Sequence, residues 1–146
     1  MKQIIILLLL LCTNNDAGKS NTQKTNLDLM MKPSSKMLYT TILYGECRGE
    51  PNIGILAVMV LIENRLKHKD FPQDTTSVLL QRNQFYVDTT LVVSDKFKTK
   101  LKSIKYKPIH NYLYFANPNQ VKNKKLRRWI LRQKGRWFGN QYFYNV

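Results

Sequence analysis

The sequence predicts a helix-dominated α+β domain with a small antiparallel β element near the C-terminus. Residues 53–62 are apolar on every side, which for a helix indicates burial in the middle of a domain. Ser94 is a suitable cap for an amphipathic helix that places Phe97 and other apolar residues on one face. The aromatic-rich segments 112–115 and 141–144 are typical of strands. A chain of 146 residues is large enough for one such domain and its core.

The N-terminal residues have the features of an export signal. A single lysine precedes an unbroken apolar run over residues 4–11, which is too short for the ~20 residues that a membrane-spanning helix needs. We therefore expect a signal peptide over residues 1–17, a flexible lead-in over 18–32 and one folded domain over 33–146. Lipid attachment at Cys12 is an alternative to cleavage after residue 17. Either route delivers the protein to the periplasm, the cell wall or the extracellular space.

The composition constrains partners and cofactors. The formal net charge is +15 and the isoelectric point about 10.0, which favours a polyanionic partner such as nucleic acid, an anionic membrane or an anionic wall polymer. Removal of the signal leaves Cys47 as the one cysteine, so neither an intramolecular disulfide nor a cysteine-based zinc site can form. We expect a packed thiol at Cys47, no metal, no cofactor and a monomeric protein.

Glu46 is the first candidate for a catalytic side chain. A helix is expected to begin at a serine cap after Pro33 and to end near Gly45. Glu46 then lies at the C-terminal end of that helix, where the helix dipole disfavours a carboxylate anion. This position, together with burial, raises the pKa of Glu46, and a raised pKa is what a proton donor needs near neutral pH.

Glu50 is expected to have a different role from Glu46. Pro51 favours a second helix start, which places Glu50 at the positive end of a helix, where its carboxylate stays ionised. Two nearby carboxyl groups with opposite pressures on their pKa values resemble an acid and a structural anchor. At the end of this second helix, Glu63 is expected to pair with Arg65 or with Arg48.

The middle of the chain alternates loops with short helices. His68 lies in a lysine-flanked loop and is expected to be solvated, after which Asp74 or Thr75 caps a short helix that ends at Leu80. Residues 81–86 mix amide and aromatic side chains, a composition suited to sugar hydroxyls and apolar sugar faces. A loop that only connects two helices is the competing interpretation.

The segment 122–136 carries a cluster of basic residues between the two strand candidates. Its basic residues interleave with aromatic ones, which is typical of nucleic-acid-binding modules. Insertion into a membrane surface is less favoured, because the segment lacks a sustained apolar face.

A series of motifs occurs in order between about residue 38 and residue 144. The series consists of Gly45-Glu46-Cys47-Arg48-Gly49-Glu50-Pro51, Glu63-Asn64-Arg65, Phe71-Pro72, Gln84-Phe85 and the segments 112–118 and 138–143. Together these motifs resemble the SleB-type cell wall hydrolases, a family that includes the spore cortex-lytic enzymes. The chain departs from the family pattern at Cys47, Tyr86 and Gln141, where an alanine, a small residue and a histidine are usual.

The resemblance implies a lysozyme-like (lytic transglycosylase-like) domain that cuts peptidoglycan glycan strands. It makes Glu46 the catalytic residue, with Arg48 and Glu50 in support. The side chains it assigns to substrate binding are Gln84, Phe85, Tyr86, Tyr114 and Asn117.

Two products and one further function class stay open from the sequence. A lytic transglycosylase needs one carboxyl group, whereas a muramidase that uses water needs two, and the chain has few acids. An exported cationic protein that binds nucleic acid or the wall without catalysis is the alternative of another class. The export signal argues against nucleic acid, so we expect peptidoglycan as the partner and no stable membrane span.

Overall fold

The structure is a computed structural model that describes residues 33–88 and 90–146. The expected signal peptide and lead-in lie outside these described residues. Within this part of the chain, none of the helices has both the length and the apolar character needed to cross a bilayer.

Two long helices form the centre of the domain. Helix α1 covers Pro33–Cys47 and helix α2 covers Asn52–Lys67. The continuous apolar run of α2 is buried along most of its length, as the sequence predicts, and it packs against Ile42 and Leu43 of α1. The short connection between the two helices carries Glu50 and Pro51. Pro51 is the N-cap of α2 rather than its first helical residue, so the expected start is shifted by one position.

Two shorter helices complete the helical layer. Helix α3 covers Thr75–Leu80, and the Asp74 side chain caps it by accepting a hydrogen bond from Ser77 N at 2.8 Å. Helix α4 covers Asp95–Ser103, and Ser94 Oγ accepts from Phe97 N at 3.3 Å. Both caps agree with the sequence prediction, since a side-chain oxygen satisfies an N–H that has no partner inside the helix.

A three-stranded antiparallel sheet packs against the helices. Its strands are β1 (Tyr114–Ala116), β2 (Gly135–Phe138) and β3 (Gln141–Tyr144), in the order β1-β3-β2. The pairing of β1 with β3 confirms the expected antiparallel pair. From the sequence we predict no strand at β2, because Gly135–Phe138 overlaps the basic stretch 122–136.

Helix α5 covers Lys124–Arg132 and lies on the other face of the sheet. Ile130 is buried against Tyr142 and Tyr144 of β3, and Leu126 packs at the edge of the same cluster. The prediction that this basic stretch lacks an apolar face is therefore wrong. Because α5 covers one face of β3 and the helical core covers the other, all four residues of β3 are buried.

Two local expectations about charged residues also need correction. Glu63 pairs with Lys67, one turn further along α2, and not with Arg65 or Arg48. His68 is half-exposed rather than fully solvated, and its ring packs edge-on to Phe71. Pairs four residues apart face each other on a helix, whereas residues two apart do not, which explains the choice of Lys67.

Candidate active site

Glu46 lies in the last turn of α1, as the sequence predicts. The neighbouring Cys47 is fully buried and anchors this turn in the core, while Glu46 itself is half-buried at the surface. Its Oε1 atom accepts a hydrogen bond from the backbone N–H of Tyr86 at 2.7 Å. Among the described residues, no hydrogen bond reaches Oε2. One carboxyl oxygen is thus fixed and the other is available for proton transfer.

The environment of Glu46 changes its acidity. Burial raises the pKa of Glu46 above its usual range, and the Tyr86 N–H and the positive charge of Arg65 oppose this increase. The direction agrees with the sequence prediction, with burial as the largest cause. A carboxyl group with a raised pKa is partly protonated nearer neutral pH, so it can donate a proton and later accept one.

The backbone of Glu46 is held from the sheet. The Gln141 side chain, only 6% exposed, donates from Nε2 to the carbonyl oxygen of Glu46 at 3.1 Å. This carbonyl belongs to the last turn of a helix, where acceptors have no partner inside the helix. Gln141, noted in the sequence as a departure from the family pattern, therefore fixes the end of α1 to β3.

Glu50 has the anchoring position that its sequence context predicts. It is 8% exposed, and its Oε2 atom accepts a hydrogen bond from Asn140 N at 2.9 Å. Its backbone carbonyl accepts from Lys100 Nζ at 2.6 Å. Gly139 has a φ of 63° and lies against the same carboxylate, so a side chain at this turn would collide with Glu50. Glu50 thus ties the α1–α2 connection to the β2–β3 turn.

Cys47 is a packed thiol, which confirms the expectation. It is fully buried, and burial raises the pKa of its thiol well above the usual value, with the negative charges of Glu46 and Glu50 acting in the same direction. A cysteine side chain acts as a nucleophile only in its deprotonated thiolate form. Cys47 therefore stays protonated and is unsuited to nucleophilic catalysis.

The expected substrate-binding residues differ in their exposure to solvent, and one of them is buried. Tyr86 is 58% exposed next to Glu46, and Gln84 is half-buried in the same loop. Tyr114 and Asn117 are half-buried on and after β1. Phe85 differs from them, because its ring is only 9% exposed and packs on Arg65 and Phe115 in the core. Its position fits support of the loop from below rather than contact with a sugar.

The two arginines near the site have contrasting surroundings. Arg48 is exposed, and its guanidinium carbon lies 5.8 Å from the centre of the Tyr44 ring. Arg65 is 1% exposed and acts on Glu46 through its charge. The burial of Arg65 is not expected from its polar neighbours, but helical spacing indicates it, because Arg65 follows the buried Val58 and Leu61 by seven and four residues on one face of α2.

Fold and candidate site together define a class of protein: a helix-rich domain with a small antiparallel sheet and a half-buried glutamate whose pKa is raised. A family model described as cell wall hydrolase matches residues 49–144. The chain therefore belongs to the cell wall hydrolase family. Glu46 lies just before the matched range.

Curated relatives and solved structures point to the same group. The chain is 29% identical over 106 residues to a spore cortex-lytic enzyme of Bacillus cereus, covering 68% of this chain and 41% of the relative. It is 30% identical over 112 residues to the spore cortex-lytic enzyme of Oceanobacillus iheyensis, covering 73% of this chain and 41% of the relative. The chain thus spans 41% of the length of these curated relatives.

Two solved catalytic domains share the fold. The catalytic domain of the germination-specific lytic transglycosylase SleB of Bacillus anthracis matches with a TM-score of 0.63 and 25% identity, over 80% of this chain and 98% of that domain. The catalytic domain of the Bacillus cereus SleB protein matches with a TM-score of 0.62 and 27% identity, over 86% of this chain and all of that domain. Both comparisons agree with the fold class that the sequence predicts.

Proposed function

We propose that this chain is a lytic transglycosylase that cleaves the bond between N-acetylmuramic acid and N-acetylglucosamine in peptidoglycan glycan strands. The observation that carries the proposal is the state of Glu46, whose carboxyl group is half-buried, has a raised pKa and is fixed through one oxygen only. Membership of the cell wall hydrolase family and the likeness to two SleB catalytic domains support the substrate class.

Glu46 acts in two steps that return it to its starting state. As an acid, it gives its proton to the glycosidic oxygen while the bond from that oxygen to C1 of the muramic acid breaks. The resulting carboxylate then takes the proton of the C6 hydroxyl group as this oxygen bonds to C1. The products are a free hydroxyl group on the leaving sugar and a 1,6-anhydro ring, and no water is consumed. Because Tyr86 N–H occupies Oε1, Oε2 is the oxygen that exchanges the proton.

The position of Glu50 favours this route over a muramidase with two carboxyl groups. A hydrolytic enzyme needs a second carboxylate that activates water or attacks the sugar. Glu50 is nearest to Glu46 along the chain, but it is buried and bonded to Asn140 N. It serves the structure of the α1–α2 connection, so Glu46 works alone.

The substrate lies along the loop and strand beside Glu46. Tyr86 offers an exposed ring for an apolar sugar face, and Gln84 offers an amide for sugar hydroxyls. Tyr114 and Asn117 extend the contact from the sheet side. The strongly basic chain suits the anionic wall. We further propose that the protein is exported through its N-terminal signal, acts as a monomer and has no nucleic acid partner.

The released products test the reaction. Purified protein is incubated with peptidoglycan sacculi, and the soluble muropeptides are analysed by mass spectrometry. We expect anhydro-muramic ends, which are lighter by one water than the reducing ends that a muramidase leaves. Glu46→Gln protein is the control and should release neither product. Reducing ends from the unmodified protein would establish hydrolysis instead, and adsorption without cleavage would support the non-catalytic alternative.

A further inference from the structure

Arg65 is the most unusual charged residue in the described part of the chain. It is 1% exposed within α2, and no described carboxylate forms a salt bridge with it. Its Nη1 atom is buried without a hydrogen-bond partner among the described residues. Buried charges are ordinarily paired because removal from water penalises the charged form. Burial accordingly lowers the pKa of Arg65 to about 10, and the side chain still carries its charge at neutral pH.

Aromatic rings and one carbonyl group hold the guanidinium in place. The rings of Phe71 and Phe85 each have their centres 5.1 Å from its carbon, and the Tyr114 ring lies at 5.9 Å. Ring faces attract a cation through their quadrupole, and this attraction increases when both groups are out of water. Arg65 Nε also donates to the carbonyl oxygen of Leu113 at 2.7 Å. One side chain of α2 thereby joins three separate segments of the chain.

One of these segments leads directly to Glu46. Phe85 is followed by Tyr86, whose backbone N–H donates to Glu46 Oε1 at 2.7 Å. The Phe85 ring can hold this N–H in place only while it is itself fixed, and Arg65 and Phe115 are two of the groups that it packs against in the core. The Arg65 guanidinium thus contacts the Phe85 ring, and the residue after Phe85 donates its N–H to the Glu46 carboxyl group.

We propose that Arg65 is a positioning residue for Glu46, which holds the Tyr86 N–H on the carboxyl group through Phe85 and places a fixed positive charge behind it. The inference rests on the proposed role of Glu46 as acid and base. A carboxyl group that must donate a proton and then take one back works best when neither form is strongly favoured. Burial alone favours the protonated form, and the Arg65 charge opposes it. Among the described residues, Arg65 is the charged group that acts on Glu46, since the neighbouring Cys47 stays a neutral thiol.

Nuclear magnetic resonance of the protein without substrate tests the proposal directly. The Glu46 side-chain carbon is titrated in the unmodified protein, Arg65→Met and Arg65→Lys, and the Tyr86 amide signal is followed. In Arg65→Met we expect a higher Glu46 pKa and a displaced Tyr86 amide signal. In Arg65→Lys the charge remains but the flat stacking surface is lost, so the amide signal should move while the pKa changes less.

The same variants predict a particular kinetic pattern. For Arg65→Met, kcat on soluble glycan fragments should fall by about tenfold or more, because small misplacements of a reacting group slow the chemical step, while KM stays unchanged. The alkaline limb of the pH profile should move to higher pH, because the protonated form of Glu46 persists further. A general loss of stability would not move this limb.

Two phenylalanines serve as a matched pair if an arginine variant fails to fold. Phe71 and Phe85 are equally distant from Arg65 and are 8% and 9% exposed. Phe71→Leu and Phe85→Leu should therefore lose similar stability and loosen Arg65 to a similar extent, but Phe85→Leu, which alters the residue next to Tyr86, should displace the Tyr86 amide signal much further. An unchanged Glu46 titration and Tyr86 signal in folded Arg65→Met and Phe85→Leu would overturn the proposal. Because these measurements need no substrate, an inactive unmodified protein would refute the proposed function alone.

Discussion

Substitution of Glu46 at the end of α1 and of Glu50 in the α1–α2 connection should have different effects on catalysis and on stability. Glu50 is 8% exposed and accepts a hydrogen bond from Asn140 N at 2.9 Å. Glu50→Gln keeps an acceptor oxygen but loses the charge on it. A hydrogen bond to a charged group contributes ~1.5–3 kcal/mol and a neutral one ~1 kcal/mol, so the expected loss in the free energy of unfolding is about 0.5–2 kcal/mol. For a domain of this size the melting temperature should fall by roughly 2–8 °C.

Glu46→Gln should give the opposite result. The half-buried carboxyl group is destabilised as an anion by burial, and the glutamine oxygen can still accept from Tyr86 N–H. The melting temperature should therefore stay the same or rise slightly. Glutamine cannot give and retake a proton, so activity should fall by at least the ~10²–10⁴-fold that general acid–base catalysis contributes.

Calorimetry and turbidity loss of purified cell walls or spore cortex measure the two quantities on the same protein preparations. Activity is expressed per folded molecule at a temperature well below both transitions. We expect an inactive, stable Glu46→Gln protein and an active, less stable Glu50→Gln protein. Full activity of Glu46→Gln, or a larger catalytic loss in folded Glu50→Gln, would show that the catalytic role belongs to the other glutamate.

The structure makes two further predictions, about adsorption and about acid stability. Replacing the exposed α5 residues Lys124, Lys125, Arg127 and Arg128 with glutamine should cut co-sedimentation with whole walls while sparing cleavage of short soluble glycans. Added salt should weaken adsorption of the unmodified protein, because the Debye length is only ~8 Å at physiological ionic strength. If the α5 variant loses wall adsorption and cleavage of soluble glycans equally, α5 lies in the substrate cleft instead. His110 accepts from Tyr112 N through Nδ1 and contacts Ala57 O through Nε2, so the folded protein holds a neutral ring, and burial lowers the pKa of His110 below 6.5. The neutral ring therefore contributes stability that is present above pH 6.5 and is lost as pH falls through the lowered pKa. Melting temperatures measured from pH 7 to pH 5 should consequently fall more steeply for the unmodified protein than for His110→Gln. Parallel slopes of the two proteins would contradict this expectation.

Local signals were sufficient for the elements around the site. The Glu50-Pro51 start and the all-round apolar run of α2 are features of neighbouring residues, and they determine where Glu46 and Glu50 lie. The same holds for Asp74 and Ser94, whose side chains cap the next two helices. The start and the cap of each of these helices depend on contacts within one helical turn, so they can be predicted from neighbouring residues in the sequence. The expected serine cap after Pro33 is wrong, because α1 is helical from Pro33 and Ser35 bonds instead to Thr76 of α3.

The β2–β3 hairpin and α5 were missed although their signals are present. Gly139-Asn140 separates two aromatic segments, and a glycine with positive φ at a short turn is a hairpin signature. Leu126, Trp129 and Ile130 follow helical spacing after an asparagine that caps α5 through Oδ1. The dense positive charge of this region obscures the helical spacing of the apolar residues between the charges.

The state of Glu46 depends on residues that no local pattern could bring together. Tyr86 lies 40 positions away in the sequence and Gln141 95 positions away, yet one fixes the carboxyl group and the other fixes the backbone behind it. Arg65 reaches Glu46 by way of an aromatic ring from another loop. A motif can identify the acidic residue, but its pKa is a property of the folded domain. Grafting residues 45–51 alone onto another helix end would therefore transfer the glutamate without the acidity that the proposed reaction needs.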